Sequence, residues 1–342
     1  MDMAKTFDGT EMSNRSFFDT RHTCPVCRST DTDPIYECSY AEDPVRSLVL
    51  SNYDEQGYVD WSLLAGATFA VDHCGRCDLI YQRSVPGDLL LEEIYTRMIA
   101  PETLARYEQG MLTIENFQRI SGEFAATFRK LDKPLHEIRV LDYGMGMGRW
   151  GRVARAMGAQ VFATEIGEDK HELGAALGIE MLDDDEIDDR TFDFVHTEQV
   201  CEHLVHPGRD IARLARTLAP GGLLKIAVPY RGKLESILRE RRLSDRALFA
   251  SDGARDIPGD AEASGAIQPL EHLNAFSLKT IEWLARENGL EIVAQTRRRS
   301  IVIDTGGLRD VAAGFRRLGV ELAKAAMRLR IGYYLLRKPG WA

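Results

Sequence analysis

The sequence predicts an α/β fold: a doubly wound, mostly parallel, seven-stranded sheet preceded by a small N-terminal module. Three observations predict it. Residues 138–151, IRVLDYGMGMGRWG, pass from a short apolar strand through a glycine-rich bend into a helix start. Beyond them, apolar strand patterns alternate with helical ones to about residue 304, the order a parallel sheet requires. Ahead of them lie two CxxC pairs, Cys24/Cys27 and Cys74/Cys77, each aiming two thiols at one point.

In chain order, residues 1–20 are polar and read as a flexible arm. Residues 21–87 read as a zinc-binding module. Two knuckles close a tetrahedral Zn²⁺ site with Cys24, Cys27, Cys74 and Cys77 as ligands, and a site with no open position has a structural role. In a reducing compartment this reading outranks structural disulfides. The apolar stretches at 45–50, 61–64 and 69–71 are expected to be strands of that module. Cys38 and Cys201 are unpaired by spacing and read as buried thiols. Residues 88–134 form a helical linker, 88–97 and then 101–130, with Leu112, Phe117, Ile120, Phe124 and Phe128 at helical spacing.

The core spans 135–306. Strand one covers 138–143. Gly144, Gly146 and Gly148 let the backbone approach a ligand, and the helix start at Arg149 offers free N–H groups. The spacing Gly146-x-Gly148-x-x-Gly151 also fits the dinucleotide fingerprint, so the bend alone does not separate adenosine ligands. Strand two, 160–164, ends at Glu165; strand three is short, near 179–182; strand four covers 192–197; strand five, 223–228, follows the Pro220-Gly221-Gly222 turn. An insertion, 231–267, opens with a helix at 234–243 and lies over the carboxyl edge of the sheet, where ligands bind. A helix at 277–288 and a strand pair, 291–296 and 300–304, close the domain. Residues 307–342 are expected to be a basic amphipathic helix, helical from 308 to 338.

Charge and composition narrow the function. The net charge is −10; from Arg309 onward eight basic residues face two acidic ones, so the rest carries −16. That disfavours a nucleic-acid footprint. No run approaches a membrane span, and the N-terminus lacks a secretory core, so a cytoplasmic protein is expected. The basic helix is expected to dock on its own domain or on a second copy in a homodimer, with peripheral contact to an anionic membrane as the alternative.

Four stretches make residues 138–228 resemble the class I S-adenosylmethionine-dependent methyltransferases, with their Rossmann-like sheet: LDYGMGMG (141–148), ATEIG (163–167), FDFVHTEQVCEHLVHP (192–207) and LAPGGLLKIAVP (218–229). Glu-x-x-x-Glu-His-x-x-x-Pro after strand four and Leu-x-Pro-Gly-Gly before strand five separate this family from the dehydrogenases. The resemblance implies S-adenosyl-L-methionine held by Asp142, Tyr143, Gly144, Gly146 and Gly148. It implies that Glu165, with Ile166 beside it, takes the ribose, and that an acid after strand three, Asp184 among the candidates, contacts adenine. Glu198 and Gln199 face cofactor and substrate, and Glu202 and His203 either start the next segment or line the pocket.

HCGRCDLIYQRSVP (73–86) and Glu-His-x-x-x-Phe-Ser (271–277) are similar to stretches of methyltransferases that carry an N-terminal zinc-binding domain, including sugar C-methyltransferases acting on nucleotide-linked keto-sugars. The order zinc module, helical linker, core is the same. His272 is then the candidate base. Pro269 stands where those enzymes have a tyrosine, and Tyr230 is the candidate replacement; Glu198 completes the catalytic set. The expected acceptor is a small molecule or nucleotide-linked sugar, methylated at carbon. O- or N-methylation of another metabolite, RNA base methylation, and a non-catalytic adenosine-ligand-binding assembly partner are the alternatives.

Overall fold

Phe18, a residue assigned to the polar arm, opens the first strand of the computed structural model, which describes residues 17–53, 58–166, 168–243, 265–294, 306–326 and 332–340. β1 (Phe18–Thr20) pairs antiparallel with β5 (Ser84–Pro86), so the arm is tied down from residue 18. β2 (Thr32–Ser39), β3 (Thr68–Cys74) and β4 (Ile80–Gln82) form an antiparallel sheet in which β4 follows the second knuckle. The stretch at 45–50, expected as a strand, is instead the start of α1 (Val45–Tyr53). Val45, Leu48, Val49 and Tyr53 are its buried apolar residues; they recur at i, i+3, i+4 and i+8, which is helical periodicity.

The linker is broken into α2 (Asp88–Glu93), a π-helical turn at Ile94–Met98, α3 (Pro101–Gly110) and α4 (Ile114–Phe128). Pro101 opens α3, and the Thr113 hydroxyl accepts from the Asn116 N–H at 3.2 Å to cap α4, so the continuous helix expected over 101–130 divides at 111–113. Ile120, Phe124 and Phe128 are buried, whereas Leu112 falls in the break and is exposed.

The core follows: β6 (Arg139–Tyr143), α5 (Arg149–Ala156), β7 (Gln160–Thr164), α6 (Glu168–Ala176), β8 (Glu180–Met181), β9 (Phe192–Glu198), α7 (Pro207–Arg216), β10 (Leu218–Ala227), α8 (Leu234–Arg239), β11 (Asn274–Ala275), α9 (Leu278–Glu287), β12 (Glu291–Ala294), α10 (Leu308–Ala326) and β13 (Tyr333–Arg337). The main sheet has seven strands in the order β12-β13-β10-β9-β6-β7-β8. β10, β9, β6, β7 and β8 run parallel, and β13 lies antiparallel between β10 and β12. The chain runs outward through β7 and β8, then returns to β9 beside β6, so the topological switch point lies between β6 and β9.

Alternate residues of each strand enter different cores, which is what burial on both faces requires. Val140, Phe194, Leu223 and Tyr333 join Phe124, Phe128 and Trp150 on one face. Leu141, Val195, Leu224 and Tyr334 join Leu214, Ile281 and Leu284 on the other.

The tail departs from expectation. Residues 307–342 are not one helix: α10 ends at Ala326 and the chain returns as β13. Tyr333, Tyr334, Leu335 and Leu336 are all buried, and pairing on both sides supplies a ladder that an exposed helix would lack. The second strand expected at 300–304 lies outside the described residues, as do 1–16 and most of the insertion (244–264); β13 is the strand that pairs with β12. No helix among the described residues is long and apolar enough to cross a membrane.

The N-terminal module is fused to the core. β11 completes its sheet by pairing with β4. Cys24, Val26, Cys27, Cys74 and Cys77 are buried in the same cluster as Leu141, Val195 and Ile281. Gly208 N–H donates to the Pro25 carbonyl at 3.2 Å, and the Thr280 hydroxyl to the Cys77 carbonyl at 2.9 Å, so the knuckles rest on the first turns of α7 and α9.

Candidate active site

The glycine bend sits at the carboxyl end of β6, beside the switch point. Gly144 has φ +71°, and a Cβ there would stand 2.8 Å from Val200 Cγ2. Only glycine lets the bend pass under the turn that follows β9. At Gly146 a Cβ would meet nothing within 4 Å, so the backbone here borders open space. Its N–H donates to Glu165 Oε2 at 2.6 Å, while Glu165 Oε1 accepts from the Ile166 N–H at 2.9 Å. Glu165, just past β7, thus points its carboxylate at the bend, and Ile166 beside it is 80% exposed, an apolar platform. Gly148 caps α5 in the left-handed conformation.

Asp184 lies on a 3₁₀ turn and is ion-paired with Arg213 at 2.6 Å, on the outer surface of α7. The Tyr143 hydroxyl is raised by burial and then by the charges of Asp210 and Asp184. Gln199 adopts φ +56° at the end of β9, with its N–H on the Ala227 carbonyl at 2.8 Å, which turns Val200 onto the bend. Tyr230 is half-buried after β10 and has no hydrogen-bonded link to His272 among the described residues.

Asp142 and Glu198 belong to a buried ionic chain. Lys225 on β10 is 1% exposed and pairs with both Glu198 and Glu123. Its ammonium also donates to His196 Nε2 at 3.1 Å, which leaves the His196 Nδ1–H to donate to Asp142 Oδ1 at 2.9 Å. The Trp150 face lies 3.9 Å from the Lys225 nitrogen. The chain of contacts runs through neighbouring strands because Asp142 pairs with His196 and His196 with Lys225 in the sheet register. Glu198 is therefore anchored to the floor of the cleft, and Asp142 holds the strand beneath the bend; neither carboxylate is a free group.

Past the Val200 turn, Glu202, His203 and His272 converge. The two imidazoles are 4.8 Å apart at 87°. The His272 Nδ1–H donates to the Gly265 carbonyl at 2.8 Å, which leaves the Nε2 lone pair unengaged by that bond. Burial lowers His272 to about 4; burial and then the neighbouring His272 lower His203 to about 3. Both rings are neutral at physiological pH, so each keeps a proton-accepting nitrogen. Burial, and secondarily the charge of Glu198, raises Glu202 to about 8. Glu271 accepts from Asn52 of α1 and is raised by burial. Tyr95, 46% exposed on the π-helical turn, has its hydroxyl raised by partial burial and then by the charges of Glu271, Glu165 and Glu202.

Sequence reasoning reached His272 but not Asn52, Tyr95, Glu123, His196 or Lys225. The dipeptide Glu-His occurs at both 202–203 and 271–272, a repeated signal for the paired imidazoles.

The four thiols expected as ligands are brought together. Cys24 and Cys77 sulfurs are 3.5 Å apart, as are those of Cys27 and Cys74, and all four lie within 4.8 Å of one another. Sulfurs around one tetrahedral Zn²⁺ stand about 3.8 Å apart, given a Zn–S length of about 2.3 Å, so the set fits that ion.

The sequence pattern of the family described as "Methyltransferase domain" matches residues 114–295, more than half of the chain. No curated protein sequence matches. Among solved structures, the plantazolicin methyltransferase BpumL, solved with a monoazolic desmethylPZN analogue and SAH, is 13% identical with a TM-score of 0.43, over 73% of this chain and 94% of that one. An O-methyltransferase family protein from Burkholderia thailandensis is 13% identical with a TM-score of 0.38, over 70% of this chain and 60% of that one. An S-adenosylmethionine-dependent methyltransferase from Mesorhizobium loti is 16% identical with a TM-score of 0.39, over 64% and 99%.

Proposed function

The chain belongs to the methyltransferase domain family, and from that premise we propose that it transfers the methyl group of S-adenosyl-L-methionine to a small acceptor, a nucleotide-linked sugar or glycan precursor, with His272 as the proton acceptor. One observation carries this reading: Glu165 faces the open glycine bend on one side of the Val200 turn, and a neutral, part-buried imidazole pair lies on the other.

The bound donor supplies an electrophilic methyl on a sulfonium. Glu165, whose oxygens keep further lone pairs beside the Gly146 and Ile166 N–H groups, would hold its ribose by accepting from both hydroxyls, and the open face at Gly146 would admit the methionine part. The acceptor lies against His203 and His272, with Glu271, Tyr95 and Asn52 offering polar contacts to hydroxyls. As the acceptor atom bonds the methyl carbon, the carbon–sulfur bond breaks, and His272 Nε2 takes the proton the acceptor loses. The Gly265 carbonyl fixes the tautomer that leaves this nitrogen basic. Tyr230 is a second candidate for proton transfer at the same edge. Cys24, Cys27, Cys74 and Cys77 hold a structural Zn²⁺ that locks the knuckles against α7 and α9. The −16 charge outside the tail supports a small acceptor over RNA.

The test is incubation with methyl-labelled donor and a panel of nucleotide-linked sugars, read by mass spectrometry. One labelled methyl on a sugar, lost in His272→Ala with donor-product binding retained, is the expected result. Wild-type turnover in that variant would remove His272 from the chemistry, and label on the nucleotide base or on RNA would replace the acceptor class.

A further inference from the structure

We infer that Glu202, His203 and His272 form a second divalent-metal site, separate from the four-thiol cluster. One ligand atom of each residue lies within 4.8 Å of the others. Two imidazole nitrogens and a carboxylate oxygen on one ion stand about 3.4 Å apart or less in a tetrahedral site, so side-chain rotation of roughly an ångström closes the set.

Three observations point to a cation. Glu202 is fully buried, and both of its carboxylate oxygens lack a hydrogen-bond partner among the described residues. A buried carboxyl group without a partner leaves its polar atoms unsatisfied, a penalty that a bound cation removes. His203 Nδ1 is likewise buried without a partner, while the His203 ring reaches the Glu271 main-chain carbonyl. His272 is held through Nδ1–H on the Gly265 carbonyl. An imidazole tethered to a main-chain carbonyl by one nitrogen, with the other facing a carboxylate, is the support that metal-ligating histidines use.

A third grouping, His73, Asp78 and Glu235, lacks this character: Arg231 pairs with both carboxylates and supplies the positive charge. In the Glu202 cluster no arginine or lysine is bonded to the carboxylate among the described residues. Two imidazoles select a borderline transition-metal ion such as Ni²⁺, Co²⁺, Fe²⁺ or Zn²⁺ over Mg²⁺ or Ca²⁺, and three protein ligands leave positions open. Occupancy engages the His272 lone pair, so a metal at this site blocks proton transfer; that consequence rests on the proposed role of His272, whereas metal binding does not.

The experiment titrates full-length zinc-loaded protein with Ni²⁺ by calorimetry. One saturable equivalent beyond zinc is expected, weakened at least tenfold in His203→Asn and in Glu202→Gln. Nitrogen-detected NMR of wild-type imidazoles serves if a variant fails to fold: broadening should reach His203 and His272 first. Absence of a saturable equivalent, equal affinity in folded variants, or broadening confined to the exposed His22, His136 and His206 would overturn the site. Titration with S-adenosylhomocysteine, run alongside, reads the donor site independently: its failure with Ni²⁺ binding intact overturns the methyl-donor reading and leaves the metal site standing.

Discussion

Replacing Lys225 with methionine should cost more stability than any surface change in the molecule. The ammonium is 1% exposed, and Glu123 beside it is 2% exposed, with one carboxylate oxygen already unpartnered among the described residues. Methionine keeps the length of the stem but strips Glu123 of its cation and the Trp150 face of the ammonium above it. Removing one partner of a buried ion pair costs about 3–5 kcal/mol, because the remaining charge stays buried alone. Glu198 adds less, since it reaches solvent at the cleft. At about 2–4 °C per kcal/mol for a domain of this size, the melting temperature should fall by roughly 10 °C. Urea unfolding followed by tryptophan fluorescence measures it. The double variant Lys225→Met/Glu123→Gln should recover about 1–2 kcal/mol of the loss, since the uncompensated charge is gone. A single-variant loss under about 1 kcal/mol, or strict additivity in the cycle, would show that the buried chain is not an ionic unit.

Glu165→Ala should weaken S-adenosylhomocysteine binding about 100-fold in calorimetry, the loss of two charge-assisted hydrogen bonds worth about 1.5 kcal/mol each. Cys74→Ser should lower bound zinc, measured by mass spectrometry of the metal, below half an equivalent and cut the melting temperature, because two wall helices rest on the knuckles. Stability should also vary with pH. Glu202 is raised to about 8 from 4.5, so the folded chain keeps a proton that the unfolded chain releases. Stability is therefore greatest below pH 4.5 for this group and falls as pH rises to 8, by at most about 5 kcal/mol. His203 and His272, lowered from 6.5, act in the opposite sense and remove stability as pH falls toward 4. Urea midpoints of zinc-loaded protein, free of other divalent ions, should decline from about pH 6.5 to 8.5 in the wild type, where the Glu202 contribution outweighs that of the two histidines, and should not decline in Glu202→Gln.

What was legible in the sequence was contiguous. The strand, bend and helix start of residues 138–151 specify themselves within fourteen positions, and Glu165 follows at the end of the next strand. The thiol cluster was legible because each knuckle carries half of its geometry locally. β13 was not: Tyr333–Arg337 sits in a basic, amphipathic tail, and its extended state depends on β10 and β12 flanking it. Nor was the Lys225 chain, since a lysine in an apolar strand reads as a surface residue until the register with β9 sets His196 beside it. α1 was misread although its apolar spacing was helical, because strands were expected between the knuckles. The imidazole pair joins residues 203 and 272, and only the return of the chain through β11 brings them together.

Calorimetric titration of pure, folded, zinc-loaded protein with S-adenosylhomocysteine tests the central claim most directly. One molar equivalent bound, with the Gly146 and Ile166 amide resonances shifting on saturation, is the predicted result. Folded protein that takes up neither this compound nor S-adenosyl-L-methionine would contradict it.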